Sequence, residues 1–452
     1  MNIARFYPIK NTIKQYARRD GKWRELKTVA VVSGLSGCGK TTLILDCFKD
    51  KRCFYFSFAG LEESIAEKLF ANKVTMATGK SAKRWDDAFR ELSDKYKFII
   101  LDDLSSVSSY KRFINSFFEN ICKDFNTRPL VFLLAQPTDN IDGLADNYHC
   151  IGVSFFSIPE CIKVFPSLSK FDTLGLCVAS GGIPKILKEY DEEKAFEDNM
   201  RALLVGSSVF VEFMPNLMGR YFRKPEIYHS ILYAIANGNH RISEIGKFTG
   251  YAYNKCDNYI SVLVSVGIIK IEKEKSKKGT RKTAYVFANS YFNLWYKYVY
   301  INQSEIAVGN VDVTESIVKS IIATEIHVFH LQKAFAYVNA RVNETNFWAV
   351  FQINEKIIYA PQTVRMGDFK YTFDVIHRNG DKAVFVKVFA DPAENCKKDE
   401  YRKIFKAVSM ANTFDNSHVF IFTKRRFSDY AEKYAPMENN VSIVEVERLK
   451  YS

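Results

Sequence analysis

Residues 34–41 read Gly-Leu-Ser-Gly-Cys-Gly-Lys-Thr, a complete G-x-x-x-x-G-K-[ST] string, and no other feature restricts the fold so sharply. The apolar run Val29-Ala30-Val31-Val32 precedes it and Thr42-Leu43-Ile44-Leu45 follows. The pattern predicts a buried strand, a glycine turn and a helix start. Gly34, Gly37 and Gly39 permit the bend that turns successive N–H groups inward. The backbone of Ser36, Cys38 and Thr42 is expected to join theirs around phosphate oxygens. The helix beginning near Lys40 adds its positive end. Lys40 is expected to reach the outer phosphates, and Thr41 to give its hydroxyl to Mg²⁺. The expected ligand is a nucleoside triphosphate.

At 452 residues the chain exceeds one ordinary core, and its length suggests about three domains. No apolar run of about 18 residues is present, so no membrane span is expected. The Met1-Asn2-Ile3-Ala4-Arg5 start lacks the apolar core of a secretion signal. Nine cysteines without C-x-x-C spacing give no support for zinc. Cys53, Cys150 and Cys177 fall in runs expected to be apolar strands, where a reduced thiol acts as a small hydrophobe. A reducing cytoplasm is the expected setting. The net charge of +13 is uneven: residues 1–100 and 201–300 each carry +9, residues 101–200 carry −6, and residues 301–452 carry +1. The first basic block has a triphosphate to hold. The second points to a further polyanion such as double-stranded DNA.

After the loop helix come a strand at Cys53–Phe58 and helical stretches at Leu61–Phe70 and Trp85–Leu92. The run Lys97-Phe98-Ile99-Ile100-Leu101 then ends in Asp102-Asp103. A buried strand of this kind delivers its terminal acid beside the metal. Asp102 is therefore assigned to Mg²⁺, through a water. Asp103 stands where many ATPases place a water-orienting glutamate, one methylene longer, so either slow hydrolysis or mainly a binding switch is expected. Leu130–Ala135 is another strand, ending at Gln136, whose amide either senses the γ-phosphate or holds the water, or else only caps the strand. A last strand around Cys150–Val153 precedes helices and the turn Gly181-Gly182-Ile183-Pro184. Strands alternating with helices mean a parallel sheet covered on both faces.

Between residues 201 and 300 three helices are expected, at Pro225–Ala236, Ile242–Phe248 and Asn254–Val264. Strands at Gly267–Ile271 and Thr283–Phe287 flank a basic tip containing Lys277, Lys278 and Arg281. Three helices and a hairpin form a winged helix-turn-helix. Its third helix would present Tyr253, Asn254, Lys255 and Asn258 to DNA bases, and its wing would touch phosphate. Such modules also serve as internal packing elements.

Phe222-Arg223-Lys224-Pro225-Glu226-Ile227-Tyr228-His229-Ser230-Ile231-Leu232 and Ile235-Ala236-Asn237-Gly238 with Arg241-Ile242-Ser243-Glu244-Ile245 resemble signatures of the prokaryotic archaeal-type ATPases. These are P-loop proteins related to the STAND and AAA-like ATPases. Gly181–Pro184 is similar to the family's turn before its lid helix. Phe292-Asn293-Leu294-Trp295-Tyr296-Lys297-Tyr298 is similar to its aromatic run after the winged helix. The resemblance implies an α/β P-loop domain with helical lid over residues 1–200, a winged helix over 201–300 and a C-terminal domain over 301–452. The family commonly has Asp-Glu where this chain has Asp102-Asp103, and Gly-Ser where it has Ala135-Gln136.

The last third runs from a helix containing Glu325 and Leu331–Val338 through strands at Phe347–Phe351, Tyr371–Ile376 and Ala383–Val388. A helix at Glu400–Ala411 and a strand at His418–Phe422 follow. This order resembles the restriction-endonuclease-like fold with its D…(D/E)-x-K site. Asp374 and Lys387 match that site, and Glu325 stands as the helix acid. Phe385 occupies the second metal acid's position, and an apolar ring cannot ligate Mg²⁺. A degenerate scaffold is expected, or simply an Asp374–Lys387 pair across neighbouring strands.

The expectation is an ATP-binding, Mg²⁺-dependent ATPase acting as a switch. An ATP-gated DNA-binding protein and an ATP-dependent nuclease are the alternatives. ATP is preferred over GTP because Thr138-Asp139-Asn140, the nearest string to a guanine motif, lacks its lysine. No residue pattern names a protein partner or settles whether a homo-oligomer forms.

Overall fold

The computed structural model describes residues 10–18, 29–103, 130–137, 148–275, 281–342, 361–389, 398–412, 416–423 and 440–445. The sequence strand at Phe347–Phe351, the string Thr138–Asn140, and Lys277 and Lys278 lie outside them. The chain divides into two compact units. One comprises Met1–Glu160, Gly181–Tyr190 and Glu212–Lys297, and the other Cys161–Ser180, Asp191–Val211 and Tyr298–Ser452.

The first unit is built on a five-stranded parallel sheet of β1 (Val29–Ser33), β2 (Cys53–Ser57), β3 (Phe98–Asp102), β4 (Leu130–Ala135) and β5 (Tyr148–Gly152). Their order is β2-β3-β4-β1-β5. Val29, Ala30, Val31 and Val32 are wholly buried, as a central parallel strand covered on both faces requires. Helices Glu63–Thr78 and Trp85–Lys95 return the chain between β2 and β3. Phe54, Phe58, Phe70 and Phe89 pack there with Trp85, and Phe70 meets both Phe54 and Phe56 edge to face. Because β4 lies between β1 and β3, the loop after β1, the acids ending β3 and Gln136 after β4 all emerge at one edge. Ligands of open α/β sheets bind at that carboxyl edge.

The same unit holds helices Pro225–Ala236, Ile242–Thr249 and Tyr253–Val266, which pack on one another. An antiparallel hairpin follows, β6 (Ile269–Lys275) with β7 (Arg281–Phe287). Gly250 and Gly267 end the second and third helices in the left-handed conformation.

In the second unit a small hairpin of β8 (Gln362–Met366) and β9 (Phe369–Phe373) precedes a sheet ordered β10-β11-β12-β13. Its strands are β10 (Val375–Asn379), β11 (Lys382–Val388), β12 (Ser417–Thr423) and β13 (Val441–Glu445). β10 runs antiparallel to β11, and the helix Lys398–Ala411 carries the chain to β12, parallel to β11.

The structure departs from the sequence reading in two places. The strand expected over Tyr371–Ile376 breaks at Asp374, where β9 ends and β10 begins with a different partner. Asp374 N–H donates to Val386 O (3.0 Å), and its carboxylate accepts Val388 N–H (2.7 Å), turning the chain there. Cys177 lies in the helix Lys170–Ser180 rather than a strand, and Cys150 is exposed at the edge strand β5. Each compact unit is discontinuous in sequence. Helices Lys170–Ser180 and Phe196–Leu203 pack on residues 311–326, with Arg201 paired to Glu315.

Candidate functional site

The phosphate loop leaves β1 at Ser33 and bends through Gly37 (φ +87°) and Gly39 (φ +89°) into the helix Lys40–Cys47. A Cβ on Gly34 would stand 2.1 Å from Val153 O, so only glycine lets the loop lie on the end of β5. One on Gly37 would meet the Phe213 ring at 2.5 Å. Gly39 precedes the helix without side-chain capping, which leaves first-turn N–H groups for an anion.

A cavity of about 250 Å³ opens here, lined by Ser36, Gly37, Gly39, Lys40, Thr41, Thr42, Asp102, Asp103, Gln136, Pro184, Lys185, Lys188 and Arg220. The structure thus brings together most of the residues expected from sequence. Gly34 and Cys38 stay behind the lining: Gly34 supports the loop, and the Cys38 side chain is buried. Burial pushes the Cys38 thiol above its ordinary pKa.

Lys40 Nζ donates to Gly34 O (2.6 Å) and Leu35 O (3.2 Å). Burial lowers its pKa, and Cys38, Asp102 and Asp103 oppose that shift. Thr41 Oγ1 donates to Asp102 Oδ2 (2.6 Å), and Tyr55 OH donates to the same oxygen (3.1 Å). Burial raises the Asp102 pKa, with Asp103 adding to it, while the hydrogen bonds from Thr41 and Tyr55 pull it back. The Tyr55 hydroxyl is itself pushed up to about 12 by burial and by Asp102. A hydroxyl and a carboxylate in contact, both hard oxygen donors, suit Mg²⁺, which binds few protein groups and keeps waters and phosphates for the rest. The uncapped helix start and the Lys40 ammonium fit a phosphate chain equally well.

Asp103 lies one residue past β3 with φ +54°. Its carboxylate is paired with Arg220 and accepts Gln136 Nε2–H (3.1 Å). Tyr221 OH donates to Gln136 Oε1 (2.5 Å) and accepts Ser36 N–H (3.1 Å). Sequence reasoning missed Arg220 and Tyr221, and equally Tyr55, Lys185 and Lys188. None belongs to a local string that carries phosphate chemistry.

On the three-helix segment Tyr253, Asn254, Lys255 and Asn258 are all exposed, Tyr253 by 62%. Arg281 begins β7. In the second unit Asp374, at the break between β9 and β10, lies 3.9 Å from Lys387 of β11. His327 Nε2, unforeseen from sequence, stands 3.6 Å from Asp374. Glu325 Oε1 accepts a hydrogen bond from Tyr298 OH (3.1 Å). Phe385 is fully buried against Phe373 (5.1 Å between ring centres).

Among the described residues no helix is long and apolar enough to cross a membrane. A family model of the viral superfamily 1 RNA helicase core domain matches residues 30–115. The chain is 23% identical over 302 residues to an uncharacterised protein of Methanocaldococcus jannaschii, covering 63% of this chain and 67% of that one. Among solved structures it is similar to the Walker-type ATPase of Pyrococcus abyssi, with TM-score 0.44, 16% identity, and coverage of 63% of this chain and 95% of that one. It is also similar to the ORC1 protein of Aeropyrum pernix, solved in complex with DNA, with TM-score 0.34, 11% identity, and coverage of 68% and 93%. A STAND protein of Pyrococcus horikoshii gives TM-score 0.29 at 15% identity, covering 75% of this chain and 51% of that one. With its parallel sheet, its glycine-bent loop and the match over residues 30–115, the first unit has the α/β fold of the P-loop nucleoside triphosphatases.

Proposed function

We propose that this chain is an ATP-binding, Mg²⁺-dependent ATPase working as a nucleotide-controlled switch. One observation carries the reading: a single cavity gathers Lys40 and Thr41 from the loop with Asp102, Asp103 and Gln136 from neighbouring strand ends. Bound Mg²⁺ would neutralise phosphate charge. Thr41 and Asp102 would hold it, and Lys40 would turn from two backbone carbonyls to the outer phosphates. Asp103 would orient water, and Gln136 would steady it. Asp103 is engaged by both Arg220 and Gln136, which favours slow turnover.

In this reading residues 1–200 supply the nucleotide domain and its lid, and residues 201–300 a winged helix. Residues 301–452 supply a degenerate nuclease-like scaffold, since Phe385 stands in the core. A cytoplasmic protein is the natural setting. A second reading, ATP-gated binding of double-stranded DNA, draws on the exposed Tyr253, Asn254, Lys255 and Asn258 and the net +9 of residues 201–300.

The test is calorimetry with ATP and Mg²⁺ on the wild type and Lys40→Ala. The wild type is expected to release heat on binding. Removing the charge facing the phosphates should weaken affinity by roughly 10- to 100-fold, the scale of one or two charge-assisted hydrogen bonds. Equal affinity in the two proteins counts against the proposal.

A further inference from the structure

The contacts around Asp103 form a closed ring that sequence gave no reason to expect. Ser36 N–H donates to Tyr221 OH, which donates to Gln136 Oε1, while Gln136 Nε2–H donates to Asp103. Arg220 closes the ring, pairing with Asp103 and reaching Ser36 Oγ at 3.3 Å. Ser36 lies inside the phosphate loop, so its N–H is among the donors a phosphate chain needs. In this arrangement a phenol oxygen holds that donor.

Resting on the nucleotide-binding reading above, we propose that Arg220 and Tyr221 are a clasp that phosphate must displace. While Tyr221 holds the Ser36 amide, Arg220 and Gln136 engage the Asp103 carboxylate, leaving it less available to a water. A phosphate oxygen is a stronger acceptor than a neutral phenol, so it takes the amide. Tyr221 then loses one of its anchors, and the Arg220 guanidinium gains a competing anion. Both residues end the helix Val209–Tyr221. The next residue, Phe222, stacks on Tyr228 (3.8 Å between ring centres) in the first helix of the three-helix segment. The clasp therefore couples an occupied loop to the base of that segment through one short stretch of chain. The side chains act as positioning residues and touch Asp103 and Gln136 rather than reacting atoms.

Tyr221→Phe removes only the hydroxyl. It should bind ADP and a non-hydrolysable ATP analogue about three- to tenfold more tightly than the wild type, because the ligand no longer competes for Ser36 N–H. Hydrogen exchange supplies a second measurement. Without nucleotide the Ser36 amide should exchange faster in Tyr221→Phe than in the wild type, and nucleotide should protect it equally in both. Equal or weaker affinity in Tyr221→Phe, with Ser36 exchange unchanged, overturns the clasp while leaving nucleotide binding intact. Wild-type protein that binds neither nucleotide would instead bring down the reading on which the clasp rests.

Discussion

Among the described residues Asp103 is the one non-glycine residue with positive φ. A left-handed conformation costs an L-residue roughly 1–2 kcal/mol, less for Asp than for most, and it persists where surrounding contacts over-determine it. Here Arg220 and Gln136 do so. Its neighbour Asp102 bears a different cost. Burial raises the folded-state pKa above the usual aspartate value, so the charged form opposes folding. The stability this group contributes is present below its unfolded pKa of about 3.9 and is lost as pH rises through the folded value. Asp102→Asn should therefore melt a few degrees higher than the wild type at pH 7, with the gap closing near pH 4. It should also lose Mg²⁺-dependent nucleotide binding. Thermal denaturation at the two pH values, with and without Mg²⁺ and nucleotide, checks both. At Gly34 the demand is steric. Gly34→Ala places a methyl 2.1 Å from Val153 O and should cost about 1–3 kcal/mol in chemical denaturation.

At the scale of elements, strand ends were easier to read than strand partners. Apolar runs closed by Asp102-Asp103 and by Gln136 announced β3 and β4, because a buried parallel strand needs continuous hydrophobicity and polar groups can follow only where it surfaces. The break at Asp374 was invisible. Its cause is an N–H and a carboxylate bonding β11, and pairing across strands leaves no local pattern. The same sheet settles what Phe385 does. With Phe373, Val419 and Ile404 it fills the core of the second unit. Phe385→Asp is accordingly expected to destabilise that unit by more than about 3 kcal/mol, through an unpaired buried charge and a lost ring. Urea unfolding would show this. Mg²⁺-dependent DNA cleavage by the same variant would instead argue for a repairable nuclease site.

For the whole molecule, charge is the property that bears on partners. Residues 212–297, which belong to the first unit, carry a net charge of +8 and include the exposed start of the helix Tyr253–Val266. If that segment meets DNA phosphates, gel shifts should weaken steeply with salt, by about 0.9 log units per contact for each tenfold rise. Arg281→Ala, at the wing, should reduce that slope by about one contact. No shift at low salt removes the DNA reading and leaves the nucleotide switch standing.

The sequence alone determined the loop, its strand and helix, the acids ending β3 and the three helices with their hairpin. Each depends on residues within one turn or one strand of each other, where spacing and backbone geometry are local. Tertiary structure alone decided that Arg220 and Tyr221 face Ser36 across 184 and 185 positions and that Tyr55 shares Asp102 with Thr41. It also decided that residues 161–180 and 191–211 belong with the second unit. Contacts of such separation arise from how buried surfaces stack, and a side chain's neighbours there are set by the fold rather than by its place in the chain.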